Sequence, residues 1–512
     1  MPGGQARLKS SFGRNAAVAY GERGVMIVCT LLVTPYLFRR LGLGGFGTWS
    51  VMFTLMTVFS LVELGIAAGV VKYVAEHLAR DEHEQVRTTL SVAVAIMSLV
   101  GVLSLAACAL IGALANGLAA AGQHDAFRTG MLILGVGLAI RLPCTAYGAV
   151  LVGYERYDLF SATIAFTTVL WSVGAVAAVQ SGHGVLGVAD AYAVALAAGG
   201  LLQIILMGRA DPTLRRRPRL TARAERRRVF TFSSFALLAD SMTFIGQRMD
   251  TLVVAAVRNA RSAAPIGAAS NLQSGMQALT LPFLNLLLPM SSRLSAHGLP
   301  AELMRRHRLA TRAVLQISLP IAFILALFPH DIVHLWLGPR APAVTDAVIA
   351  VLAIQTLFIA AAPAEKILLG IGRVRLVGAL NAVEGLGNLA VSIVLVSAYG
   401  TIGAAVGSLV ASTLVGPLKW PLAARATGDR VRSFVRAGIA VPLISSLPAV
   451  AAMVAVRLLL PGGVLQLLLG ACAGVGLSLA VVIAQVGPAQ LRTRWRALIS
   501  PPAPAPVLHD QP

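Results

Sequence analysis

Blocks of mostly apolar residues follow one another along this chain, with short polar breaks between them. A helix that crosses a bilayer needs about 20 such residues. The pattern predicts spans over 14–38, 46–70, 88–114, 129–152, 159–179 and 185–208. It then predicts 230–257, 267–290, 313–336, 345–369, 377–397 and 402–424, and a last pair over 437–457 and 463–486. Pro442 and Pro448 interrupt that pair. Between the sixth and seventh spans lies a stretch of a different kind, RADPTLRRRPRLTARAERRR over 209–228, with nine arginines, two acids and two prolines. Almost nothing in it could join a core, so it reads as a solvated loop. The expectation is an all-α integral membrane protein of fourteen transmembrane helices. Its parts are a six-helix lobe over 10–208, a basic loop over 209–229, a second six-helix lobe over 230–425, an extra helix pair over 437–486 and a tail over 487–512.

Composition supports that class. Hydrophobic residues make up 57% of the chain and charged residues 12%, with a mean hydropathy of +0.79. A soluble domain carries about 25% charged residues, so too few polar side chains are present here to cover a water-facing surface. The net charge of +21 reports topology rather than nucleic-acid binding. Lysine and arginine collect on the cytoplasmic side of membrane proteins. With both ends inside, alternate loops hold 30 basic residues on one side and seven on the other, namely Arg39, Arg40, Arg128, Arg258, Arg261, Arg340 and Arg457. That bias predicts an even number of spans and two cytoplasmic termini. The basic N-terminus runs into an apolar stretch too long for a signal-peptide core, so it reads as the first span. Cys29, Cys108, Cys144 and Cys472 all fall in apolar runs and form neither a disulfide framework nor a metal motif.

The two lobes repeat each other. LVGYERYDLFSATIA (151–165) parallels LLGIGRVRLVGALNA (368–382), and HGVLGVADAYAVA (183–195) parallels YGTIGAAVGSLVA (399–411). FGTWSV (46–51) faces IGAASN (266–271), and KYVAEH (72–77) faces SRLSAH (292–297), with offsets falling in order from 220 to 216. Both halves begin inside and hold six spans, so the repeat is parallel, about an axis along the membrane normal. That plan places a substrate site between the lobes.

Motifs of soluble enzymes find no support. GLGGFG at 42–47 matches a dinucleotide-binding pattern but lacks the strand and the βαβ context that gives it meaning. No P-loop occurs. His330 and His334, four apart with Asp331 between them, lack the further ligands a metal site needs and read as interfacial residues beside Trp336. No catalytic group, metal or cofactor is expected. Pro35, Pro143, Pro282, Pro320, Pro363 and Pro417 fall within spans, where they kink helices or serve as gating points.

Charges inside spans carry the candidate chemistry. An arginine at a helix centre costs about 2.5–3.5 kcal/mol to insert, so it should face a cavity or a partner. Arg23, Arg141 and Arg248 lie well within spans one, four and seven. As a cationic cavity floor they would hold a phosphate, which suits the planar guanidinium fork. The competing reading is structural ion pairing, such as Arg23 with Glu63 or Arg248 with Asp250. Glu22, Glu63, Asp240, Asp250, Glu365, Lys366, Glu384 and Lys419 are secondary or ion-coupling candidates, and Asp190 is a further acid within a span. Lys366 and Lys419 lie nearer the cytoplasmic face, where they can snorkel.

At this point the chain resembles the multidrug/oligosaccharidyl-lipid/polysaccharide (MOP) flippase superfamily, in its polysaccharide-transport branch. FRRLGLGGFGTWSV (38–51), ELGIAAGVVKYVAEHLARDE (63–82), GYERYDLFSATIA, GHGVLGVADAY and RMDTLVVAAV (248–257) carry the resemblance, in family order over about 10–425. It implies two six-helix lobes around a central cavity, alternating access, and polyprenyl-diphosphate-linked sugars as substrates. In relatives that flip lipid II, two further C-terminal helices help form a lipid-tail groove, and 437–486 is similar. The implied function is a flippase for lipid-linked oligosaccharide in a bacterial inner membrane, working beside polysaccharide polymerase and glycosyltransferase machinery. Two alternatives stand beside it. A cation-coupled drug exporter of the same superfamily would rely on cavity acids and need only twelve spans. A non-transporting scaffold for envelope assembly would have no need to maintain buried charge in both halves.

Overall fold

The structure is a computed structural model, and it describes residues 3–212 and 249–486. The loop beyond Pro212, most of the predicted span 230–257, Asp240, Arg248 and the tail lie outside the described residues. Every regular element among the described residues is helical.

The elements are α1 (Gly3–Ala79), α2 (His83–Leu114), α3 (His124–Gly153), α4 (Tyr157–Gln180) and α5 (Gly184–Ala210). After the undescribed stretch come α6 (Asp250–Val257), α7 (Ala260–Ala296), α8 (Pro300–Leu327), α9 (Pro329–Trp336) and α10 (Val344–Gln355). Then follow α11 (Ala362–Gly370), α12 (Val374–Tyr399), α13 (Thr401–Ala426), α14 (Val431–Phe434), α15 (Val441–Leu459) and α16 (Val464–Val486).

Eleven stretches are long and apolar enough to cross a membrane. The protein is therefore an all-α, multi-pass membrane protein. Three places separate that number from fourteen. The first two expected spans run together in α1, broken at Gly42 (φ 66°, ψ 179°), a backbone conformation open to glycine alone. The span expected over 230–257 is described only in α6. The one expected over 267–290 falls in α7, which is not among the eleven and carries Ser270, Asn271, Gln273, Ser274 and Gln277 in its first half.

Two predicted spans differ in detail. The span expected over 313–336 begins earlier, at Pro300, and ends at Leu327, because Pro329 lacks the N–H that would continue the helix and opens α9 instead. The span over 345–369 is interrupted by a 3-10 turn over Thr356–Ala361, just before Pro363. A π-helical turn over Val435–Ala440 precedes α15.

The turns recur along the chain. Left-handed residues Asp81, Gly122, Glu155 and Gly184 have counterparts Gly298, Gly338, Gly372 and Gly400, each 216 or 217 positions later. Helix ends follow the same spacing, as with Ala79 and Ala296.

Packing divides the chain into two units: Met1–Leu279 with Ile332–Leu352 and Asn381–Ser412, and Thr280–Asp331 with Ala353–Leu380 and Thr413–Pro512. The core of the first includes Phe46, Met52, Phe127, Met131, Leu134 and Leu138. Small residues let its helices approach closely. Gly47 sits against the Ala260 carbonyl so tightly that a Cβ there would lie 1.9 Å from the oxygen. In the second unit Leu315, Leu319, Ala360, Ala424, Phe434 and Ile439 form one buried cluster.

Candidate functional site

The first unit encloses a cleft of about 500 Å³. One wall comes from α1 beyond its Gly42 break, where Trp49, Ser50, Phe53, Thr54 and Thr57 repeat at helical spacing. The facing wall comes from α6 and the start of α7: Asp250, Thr251, Gly267, Ser270 and Asn271. These walls are the stretches FGTWSV and IGAASN and their neighbours, so the two halves of the sequence repeat meet here. The lack of a side chain at Gly267 makes the approach possible, since a Cβ would lie 2.6 Å from the Ser50 hydroxyl oxygen. Asn271 on α7 donates to Thr34 on α1 at 3.2 Å.

Asp250 is the ionisable residue of the cleft lining. It is buried, and Ser408 donates to its Oδ2 at 2.5 Å, a charge-assisted bond that offsets part of the cost of burial. Its Oδ1 is buried with no hydrogen-bond partner. Behind Ser408 runs a polar chain. Ser408 donates also to Asn388 Oδ1 (3.3 Å), Ser392 donates to the same oxygen (2.9 Å), and Ser412 donates to Glu384 (3.3 Å). Glu384, Asn388 and Ser392 are four residues apart on α12, and Ser408 and Ser412 four apart on α13, so each set lies along one helix face.

Beside the cleft four aromatic rings meet. Trp171 stacks on Trp49 (6.0 Å between centroids) and on Phe53 (6.3 Å), and Tyr192 meets Trp49, Phe53 and Trp171 edge-on. The Trp171 indole nitrogen is buried without a hydrogen-bond partner. Tyr192 also lies within the field of Arg141 and Glu63. Those two form an ion pair, Arg141 Nη2 to Glu63 Oε1 at 3.2 Å, with side chains 25% and 15% exposed.

The predicted arginines thus stand as follows. Arg141 is paired with Glu63. Glu63 was the acid expected for Arg23; instead Arg23 lies 3.9 Å from buried Glu22, its neighbour in sequence, and donates to Met26. The α3 helix presents Arg141 to Glu63, which is why that pairing wins. Arg248, Asp240 and the suggested Arg248–Asp250 pair lie outside what the structure describes. The described arginines do not line the cleft. In the second unit Lys419 pairs with Glu365 at 3.1 Å, and the Lys366 carbonyl accepts from Ser291 at 3.5 Å. Asp190 is exposed. His330 and His334 share α9; nearby Asp331 accepts from the Gly463 backbone at 2.7 Å. No group of three metal-ligating side chains occurs among the described residues.

Sequence reasoning missed Asn388, Ser392 and Ser408, and the aromatic cluster. The four-residue spacing of small polar residues in spans eleven and twelve was the signal for the first set. The second has none, because Trp49, Trp171 and Tyr192 are far apart in sequence. It also missed Arg39 and Arg258, assigned to outer loops, as helix caps. Arg39 donates to the carbonyls of Leu335, Trp336 and Leu337 at the end of α9, and Arg258 to those of Val396 and Ser397 near the end of α12. Cations at helix C-termini satisfy the last carbonyls and the helix dipole.

A buried acid, a ligand-sized cleft and a partly buried ion pair within a many-span bundle are features of a membrane transporter. Residues 39–341 match the family described as polysaccharide biosynthesis protein, and the chain belongs to that family. No curated protein sequence matches it. Its fold is that of the MOP superfamily. It superposes on the lipid II flippase MurJ in an inward closed conformation with a TM-score of 0.71, at 14% identity over 95% of this chain and 99% of that one. An inward-facing multidrug resistance MATE family transporter matches with a TM-score of 0.67, at 12% identity over 81% of this chain and 98% of that one. A MOP superfamily transporter from Pyrococcus furiosus gives 0.57, at 14% identity over 82% of this chain and 96% of that one.

Proposed function

We propose that the protein is a flippase that moves polyprenyl-diphosphate-linked oligosaccharide from the cytoplasmic to the periplasmic leaflet of a bacterial inner membrane, by alternating access, for cell-surface polysaccharide export. The observation that carries this reading is family membership combined with coverage. The MATE transporters account for about four-fifths of the chain, whereas the lipid II flippase accounts for 95% of it. The twelve-span body ends near 425, so the difference corresponds to the extra pair over 437–486. That pair is a fitting place for a lipid tail, which a drug exporter does not need.

In this reading the fourteen spans form two six-helix lobes and the extra pair. The recurrence of left-handed turns at 216 or 217 positions supports a parallel duplication. Arg23, Arg141 and Arg248 hold the diphosphate, and Arg141 releases Glu63 to do so. Asp250, with the polar chain of Ser408, Asn388 and Ser392, is the place where a proton or small cation couples to the cycle; Glu384 ends the same chain. Both termini and the loop over 209–229 are cytoplasmic. Glycosyltransferases and a polymerase supply and use the substrate. A second reading, a cation-coupled small-molecule exporter, is favoured by one observation: Asp250 is an acid in a cleft lined by no base. Depleting the protein distinguishes the two. Lipid-linked glycan should accumulate on the inner leaflet, and unchanged glycan with lost drug tolerance would reverse the assignment.

A further inference from the structure

We infer that the cleft lined by Trp49, Phe53 and Asp250 is a pyranose-binding subsite, which takes the sugar next to the diphosphate; this rests on the flippase reading above.

The argument starts from which hydrogen-bonding atoms the cleft has left to offer. Ser50 donates its hydroxyl proton to the Phe46 carbonyl (2.8 Å), Thr54 to Ser50 (2.8 Å) and Thr57 to Phe53 (2.9 Å). A hydroxyl has one proton and two lone pairs. With the protons spent along their own helix, these three side chains present acceptors. The unpartnered Oδ1 of Asp250 is a fourth. No lysine or arginine lines the cleft. An acceptor-rich wall with a carboxylate repels phosphate oxygens, which are themselves acceptors. It suits a ligand dense in O–H donors. Trp49 and Phe53 add an aromatic wall, held in place by Trp171 and Tyr192. Aromatic surface against one face and a few placed acceptors against the edges is the pairing a pyranose ring demands, with its C–H faces and hydroxyl rim. The volume is within the range of small-molecule sites.

Position completes the argument. Tyr192 touches Trp49 and Phe53 on one side and lies in the field of the Arg141–Glu63 pair on the other. A sugar in the cleft therefore has a cation available nearby for the diphosphate that follows it. Asp250 serves both the cleft and the polar chain behind Ser408, so sugar occupancy and coupling share one carboxylate.

The test uses the full chain in lipid nanodiscs and three probes: farnesyl diphosphate, farnesyl diphosphate bearing one hexose, and tetraphenylphosphonium. Dissociation constants are measured by microscale thermophoresis. The glycosylated probe should bind about tenfold more tightly than the bare diphosphate. Thr54→Val, which removes one acceptor, and Phe53→Leu, which removes the aromatic face, should each cut that advantage about fivefold and leave farnesyl diphosphate binding unchanged. The two variants alter different atoms, and size-exclusion profiles confirm that each is folded. Equal binding of the two diphosphates to the parent protein overturns the sugar subsite while the flippase reading stands. Binding of neither diphosphate overturns both. Tetraphenylphosphonium binding that is lost in Phe53→Leu, with no advantage for the sugar, makes the cleft a cation site and overturns the inference.

Discussion

Arg141 and Glu63 offer a perturbation that separates folding from transport. Their side chains are 25% and 15% exposed, with a single contact at 3.2 Å. A fully buried pair costs about 3–5 kcal/mol when one partner is removed, because a charge is left unpaired. An exposed pair contributes about 0–1 kcal/mol. The intermediate exposure here places Arg141→Ala near 2 kcal/mol of lost stability, roughly a thirtyfold change in the folded-to-unfolded ratio. Glu63→Gln should cost a similar amount. Removing both charges leaves neither uncompensated, so Arg141→Ala with Glu63→Gln should recover most of the loss. Transport behaves differently. If Arg141 gives up Glu63 to hold a diphosphate, the double variant should be stable and still fail to flip lipid-linked glycan. Stability is read by denaturant titration of the purified protein, and flipping by leaflet-selective labelling of lipid-linked glycan in cells. Full stability in both single variants refutes the pair. Normal flipping by the folded double variant refutes the role of Arg141 in substrate binding.

Gly47→Ala should destabilise the protein by about 1–3 kcal/mol, because the new methyl meets the Ala260 carbonyl, whereas Gly44→Ala, whose methyl would lie 3.4 Å from that of Ala120, should be nearly silent; equal effects in thermal unfolding would contradict the close approach. Asp250→Asn should fold and lose the response of transport to an imposed sodium or proton gradient, and a retained response would move the coupling site elsewhere. Arg39→Ala should lower thermal stability by about 1 kcal/mol, since it gives up three carbonyl contacts at a partly exposed helix end; an unchanged melting profile would argue against the cap. A reporter fused after Arg217 should be active only as a cytoplasmic enzyme, and periplasmic activity there would invert the topology.

The chain's own composition decides that it lives in a membrane. With 12% charged residues it has no water-facing surface to offer, and apolar blocks of spanning length can satisfy their backbone only as helices. The duplication is also local information, written as matched stretches at nearly constant spacing. Asp250 and the Arg141 and Glu63 positions were visible for the same reason: a charge within an apolar block stands out. What the blocks do not encode is which faces meet. Whether Glu63 binds Arg23 or Arg141 depends on how α1 and α3 pack, and neither helix specifies the other. Trp49, Trp171 and Tyr192 become one aromatic wall only when helices separated by over a hundred residues converge. Ser408 is an unremarked serine in an apolar run until α13 brings it to Asp250. Hydropathy depends on each residue's own transfer energy, and so it is legible position by position. A binding site depends on distances between residues on different helices, and only the tertiary structure sets those.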